Sequence, residues 1–142
     1  LSYYVQTEAL TAETLYAGIP SFLLVSSILA VNNTCDRVGD GGANRHTFAV
    51  IFGRRASETL VYVLATIAHA VLFASATGDG GFPMATAVAA LLSFSFCVFE
   101  FIRMHRRGYS HETKGVSMQA ISRAFVVFSA TTLTSLLVGI AS

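Results

Sequence analysis

Two aspartates, Asp36 and Asp40, stand four residues apart, just behind a pair of amides, Asn32 and Asn33, and ahead of Arg45. If a helix persists through Asp40, both carboxylates lie on one face with Cβ atoms about 5–6 Å apart. Like charges at that spacing repel, so the pair is a poor structural choice unless something neutralises it. A hard divalent cation would do so, because magnesium takes one or two protein carboxylates and completes its shell with phosphate oxygens and water. Arg37, Arg45, Arg54 and Arg55 follow in the same segment, and guanidinium groups make charge-assisted contacts to a diphosphate. Gly39, Gly41 and Gly42 would let the backbone turn and approach a ligand closely. These residues allow a metal-assisted diphosphate site. They equally describe a polar connection with solvated charges and turning glycines.

The elements that must position them are apolar. Charged side chains make up 12% of the 142 residues, against about 25% in ordinary soluble domains. Four windows carry no charge at all, 14–35, 59–78, 80–99 and 124–142. A helix rising about 1.5 Å per residue needs roughly 20 apolar residues to cross a bilayer. The sequence therefore predicts an all-α, polytopic transmembrane bundle with spans near 14–33, 56–77, 82–104 and 119–140, and the lipid bilayer as its surroundings. A net charge of +1 and no polybasic tail exclude a nucleic-acid surface. Two cysteines, Cys35 and Cys97, do not make a disulfide framework.

The nine basic residues are unevenly placed. Eight lie in the 36–58 and 103–119 connections and Arg123 just inside the last window, while 1–13, Gly78-Asp-Gly-Gly81 and the C-terminus have none. Lys and Arg are retained on the cytoplasmic side, so both basic connections are expected there in a multi-pass cell-membrane protein, with both termini external. Tyr3, Tyr4 and Tyr16 suit an interfacial belt. No basic n-region precedes the first window, so a secretory leader is not expected. The small-residue stretches Ala85–Ala90 and Ser129–Ser135 read as helix-packing surfaces.

Three further features bear on chemistry. His69, in the middle of the second span, reads as a neutral imidazole bonded to a neighbouring helix or as a functional intramembrane group. Glu100 reads as a local partner of Arg103, three residues on. The second connection, Arg103 to Lys114, with four basic residues and two histidines, either fixes topology and touches lipid head groups or covers the site and helps bind an anionic substrate.

The order Asn32-Asn33-x-x-Asp36-x-x-x-Asp40, then Arg45, Thr47, an apolar stretch and Gly53-Arg54, resembles the second aspartate motif of the UbiA superfamily of membrane prenyltransferases. It is most similar to the 1,4-dihydroxy-2-naphthoate polyprenyltransferases of menaquinone synthesis, which often carry a Tyr-Tyr-Val-Gln-Thr stretch like Tyr3–Thr7 upstream. The motif resemblance spans about residues 1–60. Two positions depart from it: Cys35 stands where the family usually has Arg, and Asn44 where it has Gly. Nothing in 1–142 matches the family's other aspartate-rich motif.

The resemblance implies that the four spans are the sixth to ninth of a nine-helix fold, with residues 1–7 ending the fifth and 1–142 forming the C-terminal part of the domain, inactive alone. It further implies that Asp36 and Asp40 hold Mg2+, which binds the diphosphate of a polyprenyl donor. Asn32, Asn33 and Arg45 would orient the carboxylates and head group, and Arg37 would compensate for Cys35. The prenyl group would pass to an aromatic acceptor, dihydroxynaphthoate. Two other functions compete. Asp40-Gly-Gly-Ala-Asn-Arg45 approaches the start of a CDP-alcohol phosphotransferase motif, but the later aspartates that motif needs are missing from Arg54 to Ser57. A transporter or channel subunit would place ionisable groups near the midplane, whereas here the distinctive residues gather at the rim.

Overall fold

The computed structural model describes residues 11–77 and 82–141, and over these the chain is helical with no strand. Helix α1, Ala12–Cys35, opens at Thr11, whose side chain accepts the Thr14 N–H at 3.4 Å. It runs almost without a break into α2, Arg37–Gly42. Asp36 sits at the junction with φ −90° and ψ 3°. Its N–H still donates to Asn32 O at 3.0 Å, and Asp40 N–H to Asp36 O at 2.8 Å. The i to i−4 ladder thus continues through both aspartates and puts them on one face, as their spacing predicts.

Gly39, Gly41 and Gly42 do not make the turn; all three lie inside α2. The chain reverses instead at Asn44, with φ 57°. Asn is among the few non-glycine residues that enter this left-handed region at modest cost, so it serves at a position where the resembling motif has Gly. Helix α3, Phe48–Thr77, follows, with the Thr47 hydroxyl accepting Val50 N–H at 3.4 Å. Gly53, at φ 82° and ψ 174°, divides it into a short stub and the long span.

The long span of α3 begins after Gly53, two residues ahead of the predicted residue 56. A charge-free window marks what lipid tolerates, whereas the helix itself continues through Arg54 and Glu58, which pair one turn apart at 2.5 Å. Helix α4, Met84–Arg107, stops at Gly108, with φ 78°. For the same reason α5, Lys114–Ala141, starts ahead of the predicted residue 119. Four helices, all but the short α2, are long and apolar enough to cross a membrane.

The long helices close a ring in which α1 packs on α3, α3 on α4, α4 on α5 and α5 on α1. Its interior is lined largely by small residues, among them Ala65, Ala68, Ala90, Ala120 and Ala124, which let backbones approach closely where lipid provides no hydrophobic drive. Hydroxyl ties cross the seams: Ser27 Oγ donates to Val61 O at 3.0 Å, and Thr34 and Ser57 hydroxyls meet at 2.5 Å. Thr86 and Ser135 meet at 3.1 Å, joining the two stretches read as packing surfaces; such ties contribute about 0.6 kcal/mol each. Large apolar side chains such as Phe22, Leu29 and Leu92 point outward. The ring brings both basic connections to one end. Tyr3, Tyr4, the Tyr3–Thr7 stretch and the Gly78–Gly81 turn lie outside the described residues.

Candidate metal and diphosphate site

At that end, each aspartate is met by a base. Asp40 is buried, and its Oδ1 accepts from Arg45 Nη1 at 3.3 Å, while the Arg45 side chain is 72% exposed. Asp36 is gripped from across the bundle. Its Oδ2 accepts from Lys114 Nζ, and its Oδ1 lies 3.3 Å from His111 Nδ1. The Lys114 ammonium holds the Asp36 carboxyl below its usual range, against the effect of partial burial and with help from His111. The repulsion expected between two carboxylates one turn apart is thus relieved by a separate cation on each.

Asn32 and Asn33 occupy the last turns of α1, both half-buried, and Asn32, Asp36 and Asp40 follow one another at four-residue steps on one face. Neither amide side chain bonds to another described residue. Arg37 forms no ion pair among the described residues and lines a neighbouring cleft of about 580 Å³ with Thr34, Arg54, Ser110 and His111. The base that stands beside Asp36 is therefore Lys114; Arg37 projects away from it.

The connection that delivers Lys114 is held in shape locally. Thr113 Oγ1 donates to Gly108 O at 2.8 Å and accepts Ser110 N–H at 2.9 Å. Ser110 Oγ also donates to Glu112 Oε2 at 2.7 Å, which draws the Glu112 carboxyl below its usual range. Tyr109 is buried, and its hydroxyl donates to Tyr62 Oη at 3.2 Å; burial pushes its phenol upward. The structure lays this connection against the aspartate motif, through His111 and Lys114. Its partnership with Asp36 spans 78 residues of sequence, and the only trace of it there is the cluster of bases after the third span.

A profile of the UbiA prenyltransferase family matches residues 1–126. The chain belongs to that family. Comparison with curated proteins and with solved structures gave no match. As a UbiA-family chain it is a multi-pass membrane prenyltransferase, an enzyme class whose members bind a polyprenyl diphosphate and an aromatic acceptor and generally use a divalent metal. Among the described residues, no group of three or more His, Cys, Asp and Glu side chains is close enough to cage a metal. Two hard carboxylates on one helical face nevertheless fit magnesium, which draws its remaining ligands from phosphate and water.

Two expectations inside the UbiA-family spans need correction. Glu100 does not pair with Arg103. It is buried at 2% exposure and accepts from Arg123 of α5 at 2.9 Å, while Arg103 stacks over the Phe99 ring at 5.4 Å. A carboxylate facing the bundle interior is better neutralised by a base on the facing helix than by one following it around its own. His69 bonds to its own helix, not a neighbour, with Nδ1 2.7 Å from Ala65 O. Its ring lies against Phe94 and Phe128, centroids 5.3 Å away in each case.

Proposed function

We propose that this UbiA-family chain transfers a polyprenyl group from its diphosphate to 1,4-dihydroxy-2-naphthoate, the aromatic acceptor of menaquinone biosynthesis. The choice of acceptor rests on the similarity of Tyr3–Thr7 and Asn32–Thr47 to the naphthoate-prenylating enzymes. One observation carries the site: Asp36, at the junction of α1 and α2, and Asp40, one turn on, share a face because the i to i−4 bonds continue across the junction, at the bundle end where the basic residues gather.

On this reading Asp36 and Asp40 are the carboxylates that would hold Mg2+. When bound, the metal supplies an electrophile for the developing charge on the leaving diphosphate. Arg45, exposed and tied to Asp40 by a single long contact, is free to swing its guanidinium to phosphate oxygens, where bidentate donation is strong. Among the described residues the Asn32 and Asn33 amides meet no partner, which leaves them able to orient the carboxylates one turn ahead or the head group. The apolar spans below keep water from the allylic cation. The excess of Lys and Arg at this end assigns it to the cytoplasmic side. Residues 1–142 then form the C-terminal part of the domain, with the other aspartate motif contributed by other segments.

The test is prenyl transfer to dihydroxynaphthoate by the full-length protein in membranes lacking the host enzyme. Asp36→Asn and Asp40→Asn should each lower turnover by about a hundredfold or more, some 2.7 kcal/mol of barrier, with helix content unchanged. Arg45→Ala should chiefly raise KM for the donor. Normal rates with both aspartates changed would sink the site.

A further inference from the structure

Both oxygens of Asp36 are occupied, Oδ2 by the Lys114 ammonium and Oδ1 by His111. A cation cannot reach this carboxylate at full strength until those partners leave. Their backbone is in no position to move away: Gly108 and Thr113 brace the connection, and Tyr109 is buried with its hydroxyl on Tyr62. The side chains can. His111 is 87% exposed, and Lys114 carries its charge on a four-carbon stem with rotatable donors. An ammonium that leaves a carboxylate needs another anion, and the cleft beside it, lined by Arg37, Arg54 and His111 together with Glu112, leaves room for one next to the aspartates.

We propose that Lys114 is a substrate-positioning residue that serves two anions in turn, holding Asp36 while the site is empty and passing its ammonium to the donor's diphosphate when a divalent cation occupies the aspartates. The inference rests on the magnesium and diphosphate reading of Asp36 and Asp40. It adds to that reading a residue from a distant connection and an order of events. The exchange leaves each charge compensated at both stages: Lys114 neutralises a carboxylate before binding and a phosphate after it. It also makes the metal and the diphosphate cooperative, since metal alone must displace an ion pair, whereas metal arriving with diphosphate gives the displaced ammonium a new partner.

The experiment measures binding to the full-length protein in nanodiscs, with Mn2+ alone and inorganic pyrophosphate in the presence of Mn2+ as probes. Free Mn2+ is followed by its electron paramagnetic resonance signal. Lys114→Met should bind Mn2+ alone about tenfold more tightly and pyrophosphate with Mn2+ about tenfold more weakly, each about 1.4 kcal/mol. Lys114→Arg should restore both toward wild type, and thermal unfolding should report an intact fold for each variant. Opposite shifts in the two affinities support the exchange. Equal weakening of both, or no change in Mn2+ binding, overturns it by reducing Lys114 to a structural contact or a bystander. Asp36→Asn separates the two readings: Mn2+ binding that survives it removes the metal site itself, whereas loss of Mn2+ there without opposite shifts in Lys114→Met removes only the role of Lys114.

Discussion

Asp36 and Glu100 are each bridged to a base on α5, Lys114 for the first and Arg123 for the second. Nine positions separate the two bases, about 13.5 Å along the helix. At the rim, Asp36 is 21% exposed and has two partners, the Lys114 ammonium and the His111 imidazole. Inside the bundle, Glu100 is 2% exposed with a single partner, and its Oε2 meets no hydrogen-bond donor among the described residues. The rim pair can be exchanged, because water and incoming ions compete for both members. The interior pair is fixed from the acid's side, because Glu100 is enclosed and has nowhere else to place its charge, although Arg123 is 46% exposed. One chemistry, carboxylate with base, thus serves as a replaceable contact at the surface and as a clamp between α4 and α5 in the interior.

The sharpest way to break this contrast is to remove the base from each pair. Arg123→Leu strands a buried carboxylate and should cost about 3–5 kcal/mol, read as a lower unfolding midpoint in detergent. The double change Glu100→Leu with Arg123→Leu should recover most of it, since an apolar pair of similar volume is often no worse than a buried ion pair. Lys114→Met should cost under about 1 kcal/mol. Equal losses at the two positions would erase the distinction.

Acidity gives a smaller effect with opposite signs at the two ends of the pH scale. Asp36 has a lowered carboxyl pKa, so its hold on the α4–α5 connection is complete above the unfolded value of about 3.9 and is lost as pH falls through the lower folded value. Tyr109 has a raised phenol pKa, so its contribution is complete below about 10 and is lost as pH rises beyond that. Protection against hydrogen exchange at 108–113, taken relative to the intrinsic rate at each pH, should therefore be greatest between these limits and fall on both sides. The smallest effect is expected at Asn44, with φ 57°. Asn44→Gly should stay within about 0.5 kcal/mol of wild type, and Asn44→Ala should lose about 1 kcal/mol, measured by thermal unfolding.

The four spans could be read from the sequence because the bilayer imposes one demand, the absence of charge over about 20 residues, that no tertiary contact can override. The shared face of Asp36 and Asp40 was legible because the helical period fixes it locally. The partners of those carboxylates were only half legible. Arg45 lies five residues from Asp40 and falls within reach of local reasoning, whereas Lys114 reaches Asp36 only once four helices close a ring. Glu100 misled for the converse reason: Arg103, near in sequence, made a local pair look sufficient, and only the packed bundle turns the carboxylate toward Arg123. The turn misled as well. Three glycines suggested the place of reversal, but freedom to turn is not an obligation, and Asn44 supplies the left-handed residue.

Gly53 interrupts α3 at φ 82°, yet a Cβ built there meets nothing within 4 Å. Space is therefore not what keeps glycine at this position; handedness is. An L-alanine would have room there, but at a positive φ its Cβ would crowd its own carbonyl. Where α3 breaks, just past the aspartate motif, the chain is constrained by chirality and not by volume. Enlarging or shrinking its neighbours would not open Gly53 to other L-amino acids.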